Sequence, residues 1–333
     1  MLEIKEQSLT GIKFIDLFAG IGGFHYALKS FGAECVFTSE WEEHASTNYL
    51  LNHHAQPTGD ITKISECAIP PHDMLCAGFP CQAFSVSGKQ KGFEDARGSL
   101  FFDILRIAQF HQPKVLFLEN VAHLLHHQNG ETFEFILSTL KKINYNIHYK
   151  ILNTGDFKLP QHRKRLYIVA IRKDIDDSNF TIPQGNSQCV ALNSLLEKRH
   201  KPLPSITRND ILIYKNYHPE ISLDGKEILP NRPIQIGKVN KGCQGERIYH
   251  PLGHAITLSA YGGGVGAKTG LYLIGGKVRK LSPRECARLQ GFPEYHILPS
   301  SSNQAYKQFG NSVSINVLQH ILFNIAKLSL RKI

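Results

Sequence analysis

The chain has 333 residues, a formal net charge of +10, and apolar and charged fractions of 42% and 20%, which are ordinary for a globular protein. Its longest apolar runs, such as residues 115–118, are far too short to span a bilayer, and the first residues lack the apolar core of a signal peptide. Seven scattered cysteines argue against a disulfide framework, so we expect a cytoplasmic protein without a membrane partner.

The excess of positive charge has two interpretations that charge alone does not separate. It favours a polyanionic partner, chiefly nucleic acid, and it is also compatible with a basic enzyme that binds no polyanion. The length suits one large domain with a smaller second one.

The first half of the chain alternates short apolar runs with helical patterns. Strands are predicted at residues 13–18, 35–38, 73–77, 115–118, 147–152 and 166–171, and helices before residue 31, after Glu42, and at 100–110 and 132–142. Strand–helix alternation of this kind indicates an α/β fold with a mostly parallel sheet and helices on both faces.

A second, irregular region follows this alternation. It is rich in Gly, Pro, Lys and Arg with short β-like pieces, and helical periodicity returns near residues 316–330. We predict that residues 1–190 and 304–333 form the large domain, and that residues 191–303 form a smaller, irregular β-rich domain.

Polar and aromatic residues stand at successive strand ends of the large domain. The glycines at 20–23 turn from the first strand into the first helix, which by itself is best explained as a tight turn. Glu40 at the second strand end can accept hydrogen bonds from ribose hydroxyls, Trp41 can pack on a purine, and Asp60 can hold an adenine amino group. Together these residues favour a nucleoside-type cofactor.

A thiol and a carboxyl group follow two further strands. Cys81 comes after Pro80 just past one strand, and Glu119 ends another that is expected to be its neighbour. Arg163 and Arg165 alternate before the last strand, so we expect both side chains to point into the same cleft. A thiolate is the reactive form of cysteine, and these arginines can supply the positive surroundings that favour it.

Six stretches resemble, in order and spacing, the motifs of the cytosine-C5 DNA methyltransferases. They are DLFAGIGG (16–23), GFPCQAFS (78–85), ENV (119–121), QHRKR (161–165), RECARLQGFP (284–293) and GNSV (310–313). The resemblance extends to SGKQKGFED (87–95), GERIY (245–249) and TLSAYGGG (257–264), which look like those of members that methylate the first cytosine of GCGC. Residues 192–230 match poorly.

The resemblance implies a Rossmann-like methyltransferase fold that binds S-adenosyl-L-methionine and releases S-adenosyl-L-homocysteine. The smaller domain would then be a target-recognition domain. The cofactor-binding residues implied are Phe18, Gly20, Ile21, Gly23, Glu40, Trp41, Asp60, Ile61, Gly78, Pro80, Leu100, Asn311, Ser312 and Val313.

The resemblance also implies the chemistry. Cys81 would attack C6 of a flipped-out cytosine so that C5 becomes nucleophilic, and a protonated Glu119 would bind N3. Arg163 and Arg165 complete the expected catalytic set. No metal is expected, because no step needs one and no carboxylate or cysteine completes a ligand set around His123 and His127.

Double-stranded DNA is the expected substrate, with Arg247 as the candidate for bidentate reading of guanine. The DNA-binding residues implied are Ser85, Ser87, Lys89, Gln244, Arg247, Tyr261, Gly263 and Gly264.

The expected setting is a bacterial restriction-modification system. A cognate restriction endonuclease would act on the same site without contacting this chain, which we expect to be a monomer. Two alternatives remain open from sequence: an RNA cytosine-C5 methyltransferase, and a catalytically silent DNA-binding regulator.

Overall fold

A computed structural model describes residues 8–79, 100–186, 190–198, 203–214, 216–222 and 227–330. The chain divides into two compact units. The first comprises Met1–Leu152, Lys164–Pro183 and Leu318–Ile333, and the second comprises Asn153–Arg163 and Gln184–Val317. The functional assignment of the two predicted domains stays a prediction.

The strands lie close to the predicted positions in the first half of the chain and are short in the second. In chain order they are β1 (Lys13–Leu17), β2 (Glu34–Ser39), β3 (Met74–Gly78), β4 (Val115–Val121), β5 (Tyr145–Asn153), β6 (Gln161–His162), β7 (Lys164–Arg172), β8 (Leu212–Ile213), β9 (Glu220–Ile221), β10 (Glu227–Ile228), β11 (Gln235–Lys238), β12 (Arg247–Tyr249), β13 (Ala255–Ile256), β14 (Leu271–Ile274) and β15 (Lys277–Arg279).

The α-helices also follow the periodicity of the sequence. They are α1 (Gly23–Lys29), α2 (Glu43–His53), α3 (Leu100–His111), α4 (Glu131–Lys142), α5 (Pro283–Leu289), α6 (Ser302–Asn311) and α7 (Ile315–Ile325). In the described part of the chain, none of these helices combines the length and the apolarity that crossing a membrane requires.

The first unit is built on a six-stranded sheet with the order β2-β1-β3-β4-β7-β5. β1 pairs in parallel with β2 and β3, and β3 pairs in parallel with β4, whereas β7 is antiparallel to β4. The α/β class with a mostly parallel sheet is therefore confirmed. The antiparallel strand follows from the connection of ten residues between β5 and β7, which is too short for a helical crossover.

The core of the first unit is formed by apolar runs that the sheet buries on both faces. Leu75 and Ala77 of β3 and Leu116 and Leu118 of β4 are completely buried. Helix α3 adds Phe101, Ile104, Leu105 and Ala108, whose spacing of three and four residues forms one apolar face. Each large side chain buried in this way contributes roughly 1.5–3 kcal/mol.

The second unit contains a five-stranded sheet with the order β15-β14-β12-β11-β8. Its core is small and consists of Ile234, Ile236, Val239, Ile248, Leu271 and Val278. Most of its strands have only two to four residues, so turns and loops make up much of the unit, as the irregular β-rich prediction requires.

Beneath the first glycine turn, the first unit buries a cluster of polar rings. His25 and His53 are stacked with ring centroids 4.1 Å apart, and His25 Nδ1 lies 2.7 Å from the hydroxyl of Tyr49. Gly22 is packed against the ring of His53 so closely that a Cβ atom would overlap it. Burial is the main cause that lowers the pKa of His25 to about 3 and that of His53 to about 4.

The two histidines predict acid sensitivity of the fold. Because their pKa values are lower in the folded chain than the ordinary 6.5, the unfolded chain binds more protons below that pH, so stability is lost as pH falls from 6.5 towards 4. Between pH 7 and pH 5 each histidine should remove about 2 kcal/mol from the free energy of unfolding. Urea unfolding at both pH values measures this loss.

A matched pair of variants isolates the effect. His53→Gln should reduce the difference in stability between pH 7 and pH 5 by about 2 kcal/mol, whereas His126→Gln, at an exposed position, should leave it unchanged. Full retention of the pH dependence in His53→Gln would refute the assignment.

Candidate functional site

The carboxyl ends of β1, β2 and β3 carry most of the predicted cofactor residues. Strand β2 pairs with one side of β1, and β3 pairs with the other side. The crevice between β1 and β3 is therefore the switch point at which open parallel sheets bind ligands. Phe18 follows β1 with a left-handed φ of 55°, which is unusual for a bulky residue. This conformation and Gly20, with φ of 56°, form the sharp turn into α1.

Glu40, just after β2, is held by backbone amides. The amide of Gly20 donates to one carboxylate oxygen and the amide of Glu42 to the other, both at 2.8 Å. Burial is the main cause that raises the pKa of Glu40, and these two amides oppose it. A carboxylate oxygen accepts more than one hydrogen bond, so both can still accept from a ribose diol.

The surroundings of Glu40 fit a nucleoside. Trp41 is 75% exposed and leaves its ring available for stacking. Among the described residues, a Cβ atom on Gly20 would meet nothing within 4 Å, so none of them fills the space beside the turn. Asp60 accepts hydrogen bonds from the backbone amide and the hydroxyl of Thr62, and these bonds are the main reason that the pKa of Asp60 is lowered. Ile61 beside it is buried. The donor and acceptor set is therefore suitable for S-adenosylmethionine.

The other predicted cofactor residues are distributed over both units. Ile21 and Gly23 are buried at the start of α1, Gly78 ends β3, and Leu100 begins α3. Asn311, Ser312 and Val313 belong to the second unit. Pro80 lies outside the described residues, as do Cys81, Ser85, Ser87 and Lys89.

The carboxyl ends of β3 and β4 bring the two predicted reactive segments together. Gly78 is the register partner of Glu119 in the parallel pair. The buried side chain of Asn120 donates from Nδ2 to the carbonyl oxygen of Phe79 at 2.9 Å. Asn120 therefore fixes the backbone immediately before Pro80 and Cys81.

Glu119 and Arg165 form an ion pair within the first unit. Arg165 Nε lies 3.2 Å from Glu119 Oε1, with side-chain exposures of 15% and 10%. The pair arises because β7 runs antiparallel to β4, which places Arg165 beside Val121, two residues beyond Glu119. A partly buried guanidinium therefore fixes the carboxyl group at the strand end.

Arg163 has different surroundings, contrary to the expectation that both arginines point into one cleft. The alternation stops because β6 ends at His162 and β7 begins at Lys164. Arg163 is 2% exposed, and its guanidinium donates to the carbonyl oxygens of Leu258, Gly310 and Ser312 at 2.6–3.2 Å. Arg163 therefore connects its own segment to two others in the second unit, one at Leu258 and one at the end of α6.

Two buried glutamines extend this network within the second unit. Gln161 accepts from the amide of Leu258 and donates to the carbonyl of Leu289. Gln290 donates to the carbonyl of Phe309 and accepts from the hydroxyl of Ser314. Because buried polar groups are costly without partners, these contacts determine how the segments assemble.

Gly310 lies at the closest approach in this region. A Cβ atom on Gly310 would overlap the backbone of Ser259 and Ala260, and both neighbours are main-chain atoms that cannot rotate away. The glycine of the GNSV motif is therefore required for packing against the segment that leads to Tyr261.

The predicted DNA-binding residues that the structure describes lie on two adjoining turns of the second unit. Gln244 and Arg247 are exposed at a short 3₁₀ turn, and Tyr261 is 76% exposed. The amide of Gly266 donates to the carbonyl of Gly245 at 2.7 Å, and Gly245 also approaches the backbone of Gly263 too closely for any side chain. Gly263 and Gly264 are exposed beside it.

Sequence reasoning did not anticipate Arg208, Asp210 and Asn240. Asn240 contacts Glu246 in the turn carrying Gln244, and Arg208 and Asp210 contact Asn240. Their only signal was a run of charged and turn-forming residues in or near the segment that matches the family poorly. Among the described residues, no three or more His, Cys, Asp or Glu side chains converge on a possible metal site.

Comparisons with known proteins agree with this geometry. The family described as C-5 cytosine-specific DNA methylase matches residues 12–327. The chain is 50% identical to the type II methyltransferase M.HhaI of Haemophilus parahaemolyticus, over 98% of this chain and 97% of that protein. It is 40% identical to the type II methyltransferase M.HpaII of Haemophilus parainfluenzae, over 92% and 87%.

A solved structure supports the fold. The crystal structure of the S. pombe Dnmt2 methyltransferase superposes with a TM-score of 0.70 at 21% identity, over 94% of this chain and 97% of that one.

The close approach of Gly310 generates a stability prediction. Gly310→Ala should lower the free energy of unfolding by about 1–3 kcal/mol, because overpacking against backbone cannot be relieved by side-chain rotation. Gly263→Ala is the matched control, since its Cβ would meet nothing within 4 Å, and it should cost less than about 1 kcal/mol. Denaturant unfolding of both variants compares them, and equal losses would contradict the packing role.

Proposed function

Because the chain belongs to the C-5 cytosine-specific DNA methylase family, we propose that it methylates the first cytosine of GCGC after flipping that base out of the duplex. It is a DNA (cytosine-5)-methyltransferase, and its methyl donor is S-adenosylmethionine. We propose the target sequence, the residues that act and the covalent route. The observation that supports them is that Arg165 holds Glu119 at a strand end beside the segment that leads to Cys81.

The proposed reaction begins at the thiolate of Cys81. Its sulfur forms a bond to C6 of the cytosine, and the electrons of the C5–C6 double bond make C5 nucleophilic. C5 would then take the methyl group as the bond between that methyl and the donor sulfur breaks, which releases S-adenosyl-L-homocysteine. C5 would lose its proton to a base, such as a water molecule. The electron pair left at C5 restores the double bond as the sulfur–C6 bond breaks, and the thiolate is regenerated.

Glu119 would act at the Watson–Crick edge of the same base. A proton on its carboxyl group, hydrogen-bonded to N3, relieves the negative charge that develops during attack and identifies the base as cytosine. Arg165 supports the position of this group, because its Nε lies 3.2 Å from Glu119 Oε1. Asn120 supports the position of Cys81 through its bond to the carbonyl of Phe79. Arg163 would act only through the two segments that it binds.

The cofactor residues have separate tasks in this proposal. Glu40 would accept hydrogen bonds from the ribose, Trp41 would stack on the adenine, and Asp60 would hold its amino group. The predicted contacts of Phe18 and of Asn311 to Val313 complete the set. When bound, S-adenosylmethionine supplies an electrophilic methyl group on a sulfonium.

The reading surface would recognise the duplex on both sides of the flipped base. Arg247 suits bidentate recognition of guanine, and Gln244, with Ser87, would occupy the space that the base leaves. Tyr261, Gly263 and Gly264 would contact base edges, while Ser85 and Lys89 would contact the backbone. The likeness of GERIY and TLSAYGGG to GCGC-type members supports this recognition sequence.

We further propose that the chain is a cytoplasmic monomer and the modification enzyme of a bacterial restriction-modification system. The relatives M.HhaI and M.HpaII are both named type II methyltransferases, which supports this setting. A cognate endonuclease would share the site without touching the chain. Family membership favours DNA methylation over the RNA-modifying and catalytically silent alternatives.

Expression of the chain in cells that lack such methylation tests the site and the nucleophile together. Bisulfite sequencing of plasmid DNA should show methylation confined to the first cytosine of GCGC, and Cys81→Ser should abolish it while duplex binding remains. DNA carrying 5-fluorocytosine at the target should trap a covalent adduct, because fluorine cannot leave C5 as a cation. Methylation by Cys81→Ser, or at another sequence, would refute the corresponding part.

Removal of the Glu119 carboxyl group tests its role at N3. Glu119→Gln should slow single-turnover methyl transfer by about a hundredfold or more, since the amide cannot supply a proton in the transition state. Cofactor affinity should not change. The control Glu131→Gln replaces an exposed carboxyl group at the start of α4 and should react at the normal rate. A near-normal rate for Glu119→Gln would exclude the role.

A further inference from the structure

The turn that carries Gln244 and Arg247 is held by four polar side chains, three of which lie outside the stretches that resemble the family. We call Arg208, Asp210, Asn240 and Glu246 the reader clamp. Arg208 donates from Nε and Nη2 to the two carboxylate oxygens of Asp210, at 2.7 and 2.9 Å. The same Nη2 donates to Asn240 Oδ1 at 2.7 Å, so one guanidinium joins two members of the clamp.

Asn240 is the centre of the clamp. Its backbone is left-handed, with φ of 46°, which asparagine tolerates better than most residues. Its amide donates to Asp210 Oδ2 at 2.9 Å, and its side-chain Nδ2 donates to Glu246 Oε1 at 2.9 Å. Asn240 therefore connects the charged pair to the turn by its main chain and by its side chain.

Glu246 transmits the contact to the turn itself. Its other carboxylate oxygen accepts from the amide of Cys243 at 3.0 Å, immediately before Gln244. Its backbone amide donates to the carbonyl of Cys243, and its carbonyl accepts from the amide of Val239, both at 2.8 Å. The ends of the turn are thus fixed relative to each other, with Gln244 between them and Arg247 directly after.

Stability alone is a poor explanation for these charges. Arg208 and Asp210 have side-chain exposures of 36% and 40%, and exposed ion pairs contribute little to the free energy of unfolding. Two carboxylates near a surface that binds DNA also repel its phosphates, unless each carboxylate is paired with other groups of the protein. Here each carboxylate is used to order backbone or a side chain, which lowers the entropy lost when a loop binds.

We propose that the reader clamp holds the Gln244–Arg247 turn in its DNA-reading conformation before DNA arrives, with Asn240 and Asp210 as positioning residues that set sequence discrimination. The inference rests on the proposed function, in which Gln244 and Arg247 read the site. The clamp contacts neither DNA nor cofactor in this proposal. Its loss should therefore weaken specific binding without affecting the chemistry at the base.

Asn240→Gly is the decisive variant, because glycine keeps the left-handed backbone and removes the side-chain bonds to Arg208 and Glu246. Asn144→Gly makes the same change at a left-handed position, φ of 77°, in the first unit and serves as the control. The affinity for duplex DNA with GCGC, and for duplexes with one base pair changed, is measured at several salt concentrations. S-adenosylmethionine affinity and the thermal midpoint are measured in parallel.

Asn240→Gly should bind the GCGC duplex about tenfold more weakly, the size expected for one ordering contact. The ratio of its affinities for GCGC and altered duplexes should fall by the same factor. Affinity for the altered duplexes, cofactor affinity and the salt dependence should stay as in the unchanged chain. A salt slope reduced by about one would show that Asn240→Gly removes a Lys or Arg contact to phosphate instead of disordering the turn. That result would overturn the proposed role of the clamp. Equal weakening of binding to all duplexes, or unchanged discrimination between them, would do the same.

Asp210→Asn provides a second route if Asn240→Gly does not fold, since it removes the charge that pairs with Arg208 and should shift discrimination in the same direction. Arg247→Ala tests the proposed reader independently of the clamp. If Arg247→Ala loses discrimination and both clamp variants keep it, the clamp alone is wrong. If Arg247→Ala keeps discrimination, Arg247 does not read the site, and the proposed role of the clamp is then wrong as well.

Discussion

Parallel pairing of β1, β3 and β4 is the constraint on which the candidate active site depends. It brings the carboxyl ends of these strands to one edge of the sheet, where Gly78 becomes the register partner of Glu119. The antiparallel strand β7 then brings Arg165 to the carboxyl group from the other side. A shift of one residue in either pairing would turn Glu119 to the opposite face of the sheet, so the chemistry depends on register.

The second unit is organised by a different constraint, the close approach of backbone to backbone. Gly310 packs on Ser259 and Ala260, and Gly245 packs on Gly263. Arg163, Gln161 and Gln290 satisfy the carbonyl and amide groups buried near the first of these contacts. Small cores stabilise a unit weakly, and a buried polar network compensates by specifying one arrangement of its segments.

The two units also differ in how they prepare for a ligand. In the first, Glu40 is oriented by the amides of Gly20 and Glu42, so a ribose acceptor is preformed on regular structure. In the second, the reading turn joins the short strands β11 and β12, and side-chain contacts of Asn240 and Glu246 hold it. Both devices reduce the ordering that binding would otherwise require.

The sequence by itself determined the α/β class, the positions of the strands and helices in the first unit, the methyltransferase family and the strand ends that carry Glu40 and Glu119. These follow from apolar periodicity and from motif order, which are local properties of the chain. Only the tertiary structure decided that β7 is antiparallel, that Arg163 is buried among carbonyls instead of sharing a cleft with Arg165, and that Arg208, Asp210 and Asn240 meet at the reading turn. Those outcomes depend on which distant backbone groups need partners once buried, and pairing over long sequence separations leaves no local periodicity to read.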